Sequence, residues 1–297
     1  MRQPHFFKSY SRLGVPFFPI RQNKLNLGVE DSPDFVITKE FLGEFENPGI
    51  NEYRFPKPED VLKEDYYQVL ADHLEKFKDL IQTSLKEGET QVVIGGENSV
   101  TFSSLLAVLE RVKDSSKVGY IQFDSHGEMN SFEGSESKNF HGMYMRPFFE
   151  KFDKAEIAEL MPFQLGTDQV ITIGDLVLDG DEPEFYKKNN IRNINREDYI
   201  NNKLQIQSEL KTFIEKFEHI HINFDVDVFH HSISPATGIA GDGKWMFGEV
   251  IDLVEVINKH PSISLDMCEI NPHIEGAYKT IEVAHEVLRE FLQFDKV

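Results

Sequence analysis

One cysteine, Cys268, stands in the whole chain, so no internal disulfide can form. It lies in the apolar run "SLDMCEI", where a thiol packs as a small hydrophobe, and such usage suits a reducing, cytoplasmic setting. Positive charge is also scarce: 31 lysines and arginines face 51 aspartates and glutamates, a formal net charge of −20. Nucleic acid and anionic membrane both want basic patches, so neither is an expected partner. A cationic or metal-bearing ligand suits the charge better. No segment supplies the roughly 20 successive apolar residues that span a bilayer. The opening "MRQPHFFKSYSRLG" lacks the continuous apolar stretch of a signal peptide. Absent too are G-x-G-x-x-G and G-x-x-x-x-G-K, the two phosphate-cradling patterns, together with internal repeats and low-complexity linkers.

What is present is a substantial apolar fraction, 40% of 297 residues. Short runs read as strands at 91–96, 118–123, 169–174, 191–194, 219–224 and 262–270. Several are rich in Val and Ile without clean alternation, as in parallel strands covered on both faces. Helical stripes lie between them. Tyr66, Leu70, Leu74, Phe77 and Ile81 follow steps of four, four, three and four, with Gly88 beyond as a stop. Phe247, Val250, Val254 and Ile257 make a second stripe, and Ala277, Ile281, Ala284, Leu288 and Phe291 a third. Strand then helix, repeated, predicts an α/β fold: one domain over residues 1–297, a mainly parallel sheet with helices on both sides. Residues 18–60, with Pro19, Pro33, Pro48, Pro56 and Pro58, read as irregular, and 133–139 as a polar loop.

"FDSHGEMN" places Asp124, His126 and Glu128 two apart at the end of an apolar run. If strand geometry persists, they share one face. Asp225 and Asp227 in "FDVDVF" do the same. Ligands of open α/β sheets bind beyond the carboxyl ends of strands, where both clusters fall. Crowded carboxylates repel unless cations sit among them. Oxygen donors with one imidazole suit Mn or Mg better than structural zinc. A lone D-x-D is commonly a solvated turn; two such clusters at strand ends favour a metal site. In "IGGENS", Asn98 or Ser99 offers a helix cap, and the glycine pair suits a close-packed βα turn. His230 and His231 take no role, and His73 and His285 fall on helices as structural or exposed residues.

These residues resemble the ureohydrolase family, and within it the arginases. "GVPFFPIRQNKLNLGVEDSP" looks like the family's opening strand and Gly-Val-Glu loop. "GGENS" resembles G-G-D-H-S, "FDSHGEMN" resembles D-A-H-x-D-x-N, and "SKNFHG" resembles S-x-N-L-H-G. "FDVDVFHHSISPATG" resembles the D-x-D-x-x-D-P stretch ending in P-A-T-G, and "LDMCEINP" resembles L-D-I-M-E-V-N-P. The resemblance implies a three-layer α/β/α domain, a two-manganese centre and hydrolysis of a guanidinium to urea and an amine. It implies Asp124 and Asp225 as bridging ligands, with His126 and Asp227 completing one metal. It implies His141 as proton shuttle, Glu269 as the acid receiving the guanidinium, and Asn130, Ser137, Asn139 and Asp179 around the amino-acid end of the substrate. Asn130 and "NFHG" favour arginase over agmatinase or formiminoglutamase. Two cations about 3.5–4 Å apart can lower the pKa of a bridging water and present hydroxide to carbon. A carboxylate such as Glu269 can fork two guanidinium N–H groups, and a histidine of near-neutral pKa can protonate the leaving amine.

Two positions of the other metal depart from the family. Asn98 stands for histidine and Glu128 for aspartate as altered ligands of that metal, and one or two Mn2+ ions are expected, the first weakly held. Glu97, Ser125, His230 and "GIAGDGKW" also differ. Three readings follow: an active arginase-like hydrolase, a metal-poor protein that binds an amino acid or regulates, and an agmatinase- or formiminoglutamase-like hydrolase with a shifted substrate. The resemblance implies a homo-oligomer, by family a trimer, although the sequence stops soon after its last helical stripe and no C-terminal assembly tail is expected.

Overall fold

The structure, a computed structural model, describes residues 2–16, 26–238 and 243–292. Val- and Ile-rich runs form the centre of one eight-stranded sheet: β1 Gln3–Tyr10, β2 Gly49–Arg54, β3 Glu89–Gly95, β4 Val118–Phe123, β5 Val170–Ile173, β6 Arg192–Ile194, β7 His219–Asp225 and β8 Ile263–Cys268. Their order is β2-β1-β3-β8-β7-β4-β5-β6, and every neighbouring pair is parallel. All six expected strands are present within two residues of their expected ends. Among the described residues, no helix is long and apolar enough to cross a membrane.

The N-terminal third departs from expectation. The opening strand is Gln3–Tyr10, not part of 14–33, and residues 17–25 of that stretch lie outside the described residues. Phe6 and Phe7 stand side by side among His5, Lys8 and Ser9, so β1 shows neither alternation nor a long apolar run. Edge strand β2 is half-buried on one face and exposed on the other. Residues 18–60 therefore hold this strand and two short helices, α1 Ser32–Val36 and α2 Lys39–Leu42, despite their prolines. The "GIAGDGKW" turn also falls partly outside, at 239–242.

Further along lie α3 Tyr66–Ser84, α4 Val100–Val112, α5 Ala155–Ala158, α6 Glu182–Asn189, α7 Arg196–Ile214, α8 Phe247–Ile257 and α9 Ala277–Leu292. Gly88, left-handed at φ 85°, turns the chain after α3 into β3. Two hydrophobic clusters cover the two faces of the sheet, giving three layers. One joins α1, α2, α7, α8 and α9 to Ile220, Ile222 and Phe224; the other joins α3 through α6 to Val93, Tyr120 and Val170. β7 thus buries its apolar residues on one face and His219, His221, Asn223 and Asp225 on the other. The polar row is satisfied internally: His221 bridges Ser264 (2.7 Å) and Asp266 (2.8 Å), and Asn223 donates to Thr101 (2.8 Å). His73 accepts from or donates to Tyr53, and His285 to the Val36 carbonyl, both structural roles.

Candidate metal centre

Four adjacent strands, β3, β8, β7 and β4, deliver the site from their carboxyl ends. After β3 comes Asn98, after β8 Glu269, at the end of β7 Asp225 and Asp227, and after β4 Asp124, His126 and Glu128. Ligand atoms of Asp124, His126 and Glu128 lie within 4.8 Å of one another, as do those of Asp124, Asp225 and Asp227. The convergence is as expected, but its cause is not. β4 ends at Phe123, and Glu128 reaches the cluster through a left-handed backbone at φ 58°. Glu269 is left-handed too, at φ 65°, held by Glu269 N–H to the Gly96 carbonyl (2.7 Å) and Gly238 N–H to the Glu269 carbonyl (2.8 Å). Non-glycine residues occupy this region at a cost and cluster at functional sites.

Hydrogen bonds fix the carboxylates. Asp124 Oδ1 accepts from its own turn at His126 N (2.8 Å) and Oδ2 from Gln122 Nε2 (3.1 Å). Asp225 Oδ1 accepts from Asp227 N (2.8 Å), and Asp227 Oδ1 accepts from Ser125 N (2.9 Å). His126 Nδ1 lies 2.9 Å from Asp227 and 3.5 Å from Asp124. Asn98 donates its side-chain N–H to Asp225 Oδ2 (2.7 Å), and its Oδ1 faces Asn223 (3.5 Å). In this arrangement the amide N–H, rather than the amide oxygen, meets the neighbouring carboxylate. Neither Asn98 nor Ser99 caps α4 through its side chain. Glu97 instead holds the turn before the helix, accepting from Ser99 N (2.9 Å), Ser11 Oγ (2.7 Å) and Gly14 N (3.1 Å). The glycine pair is the close-packed turn expected: a Cβ on Gly96 would sit 1.7 Å from the Ser11 carbonyl oxygen.

Glu269 Oε1 accepts from Asn98 N (3.2 Å) and lies 3.7 Å from His141 Nδ1. Among the described residues, Glu269 Oε2 and Glu128 Oε2 are buried without a hydrogen-bond partner. Asn130 donates to Asp179 and accepts from Asp181 N (3.2 Å), joining the 124–130 turn to the loop before α6. Ser137 Oγ accepts from Asn139 N (3.2 Å) two residues before His141, whose own N–H bonds the Gly14 carbonyl (3.2 Å). Asn139 and His141 are buried, whereas Asp179 is exposed.

Burial dominates the electrostatics. It pushes Asp124 up to about 7, helped by Asp227, and holds Asp225 and Glu128 well above the usual carboxylate range. Glu269 is raised for the same reason. Burial works on Asp227 as well, but the His126 cation overcomes it and lowers that carboxyl. His126 in turn is held charged by Asp227 and Asp124 against the burial that would discharge it. Such a set suits a hard divalent cation, which would supply the positive charge that five buried carboxylates lack and give Glu128 Oε2 a partner. The donors are oxygen-rich with one imidazole, so the residues present fit manganese or magnesium better than a thiolate-bound metal.

Sequence reasoning missed Gln122, Asn223 and Glu182. The first two stand two residues before Asp124 and Asp225, on the same strand face, and that period-2 signal was available. Glu182, buried and raised to about 7 by burial, accepts from Met129 N (2.7 Å) and Asp179 N (3.1 Å); no motif marks it.

A family model described as the Arginase family matches residues 12–293. A Staphylococcus aureus protein named arginase is 28% identical over 277 residues, covering 91% of this chain and 86% of its own. An Entamoeba histolytica arginase, solved in complex with L-ornithine, superposes at TM-score 0.84 with 19% identity over 98% of both chains. A Bacillus subtilis formimidoylglutamase superposes at 0.68 with 16% identity, over 99% of this chain and 87% of that one. The match of the family model over nearly the whole chain, and the meeting of its motifs at four neighbouring strand ends, make this chain a member of the arginase family.

Proposed function

We propose that this protein is a manganese-dependent hydrolase of a guanidino carbon–nitrogen bond, with arginine, cleaved to ornithine and urea, as its leading substrate. The observation that carries the reading is the buried Oε2 of Glu269, without a partner among the described residues, on a carboxylate held beside the Asp124–Asp227 cluster and near His141. The cation, held by Asp124, His126, Asp225 and Asp227, would supply the Lewis acidity that makes a water nucleophilic at neutral pH. Glu269 has one oxygen on the Asn98 N–H and one free to receive a guanidinium N–H, which orients the planar group in a water-poor pocket. His141, at its Nδ1 side, faces this carboxylate and gives the leaving amine its proton. Water oxygen adds to the guanidino carbon, the bond to the side-chain nitrogen breaks, and that nitrogen departs protonated. Asn130, Ser137, Asn139 and Asp179 take the amino-acid end. The Staphylococcus relative named arginase and the ornithine-bound Entamoeba structure support this choice of substrate. One or two manganese ions, a cytoplasmic location and a homo-oligomer, trimeric by family likeness, complete the proposal.

A second reading has one specific observation behind it. Asn98 spends its amide N–H on Asp225, and Glu128 arrives on a left-handed turn, so a second cation lacks a nitrogen donor. A protein that binds the amino acid without turning it over would follow. A panel of arginine, agmatine and formimino-glutamate, assayed with manganese-loaded protein, separates the readings. Urea from arginine supports the first. Arginine binding without product supports the second. Product from agmatine or formimino-glutamate alone reassigns the substrate.

A further inference from the structure

A cavity of about 730 Å3 adjoins the loop of residues 131–139, lined in part by Ser137 and Lys138, three residues before His141 along the chain. Its wall has an aromatic shelf. Phe132 and Tyr67 meet edge to face at 5.6 Å, and the Lys154 ammonium lies 3.8 Å from the centre of the Phe132 ring and 5.0 Å from that of Tyr67. The Lys138 ammonium donates to the carbonyls of Phe132 (2.6 Å) and Glu133 (3.0 Å), and the Lys138 carbonyl accepts from the Tyr67 hydroxyl (3.1 Å). Two ammonium groups are thus held at the wall before any ligand arrives, which removes part of the ordering cost of binding. Lys63 lines the cavity as a third, against Glu64 and Glu156. In a chain where acids exceed bases 51 to 31, this hollow reverses the balance by one charge.

The geometry points to a carboxylate-binding site: the cavity takes a small organic anion whose carbon skeleton lies on Tyr67 and Phe132 while its carboxylate bonds Lys138 and Lys154. A single excess positive charge matches one carboxylate better than a phosphate dianion. The anion has two sources, a free organic acid or an acidic tail on the guanidino substrate. The second rests on the proposed hydrolase reading; the first does not.

The test uses the full chain and two probes. 3-Phenylpropionate binding is followed by calorimetry, and urea release is compared for arginine and Nα-succinyl-arginine. In the double variant Lys138→Gln, Lys154→Gln, phenylpropionate should bind about tenfold more weakly at an unchanged melting temperature. Should that variant melt early, Lys154→Gln alone, whose ammonium meets the two rings of the shelf, gives the same comparison. If the acid is a substrate tail, KM for the succinyl compound also rises about tenfold in the variant, with its kcat and the arginine kinetics unmoved. If KM is unmoved while phenylpropionate binding falls, the site takes a free acid. Phenylpropionate affinity and KM both unchanged by the substitutions, or inorganic phosphate binding as tightly as the carboxylate, overturns the proposal. A protein that releases no urea at all fails the hydrolase reading alone, and calorimetry still decides this one.

Discussion

Asp225 ties three parts of the site together: it accepts from Asn98 and Asp227 and shares its cluster with Asp124. Asp225→Asn removes a negative donor at the centre of that cluster, so most bound manganese should be lost, read by metal analysis of the purified variant. An unchanged manganese content would refute the ligand assignment. Glu269→Gln should weaken arginine binding by roughly tenfold or more while metal content stays near that of the parent, because the lost charge faces the guanidinium. Equal arginine affinity in both proteins would count against that role. The pH dependence follows from Asp124. Its carboxyl sits at about 7 in the metal-free fold against an ordinary 3.8, so the protonated form is the one the fold favours. The stability it contributes is complete below the ordinary value and is lost as pH rises through about 7. Metal-free protein should therefore melt lower at pH 8 than at pH 5, and manganese should abolish the difference, because it takes the place of the proton. A metal-free melting temperature that rises over that interval would contradict the charge assignment.

At the scale of elements, the turn between β3 and α4 sets the spacing of the site. Gly96→Ala would drive a Cβ into the Ser11 backbone oxygen, which has no flexible side chain to yield, and should cost about 3 kcal/mol in thermal unfolding. The polar face of β7 makes a second prediction. His221 and Asp266 are both fully buried at 2.8 Å, so Asp266→Ala leaves one imidazole nitrogen without its partner in the sheet and should cost about 1–3 kcal/mol. How much of this was legible follows from the same elements. The central strands were visible because they are buried on both faces and carry Val and Ile. β1 and β2 were not, since adjacent phenylalanines break the period of one and the other is a half-exposed edge. Asp124, His126, Asp225 and Asp227 were legible from their period of two. Glu128 was legible in identity but not in conformation, because a left-handed residue leaves no mark on the pattern. Asn98 stood out as a departure, yet its contact with Asp225 left no mark on the sequence.

For the whole molecule, a net charge of −20 and a buried nest of carboxylates fit the proposed uptake of a divalent cation. At limiting manganese it should hold closer to one ion than two, since the Asn98 flank offers no nitrogen. Asn98→His with Glu128→Asp should raise both stoichiometry and turnover. A double variant that gains neither would favour the non-catalytic reading. The most direct test of the central claim is one titration of metal-stripped protein with manganese, following bound metal and urea release from arginine in the same samples. Urea release should be absent at the start and climb in step with occupancy, further so at alkaline pH. Urea produced by the stripped protein, or none produced once it is fully loaded, would contradict it.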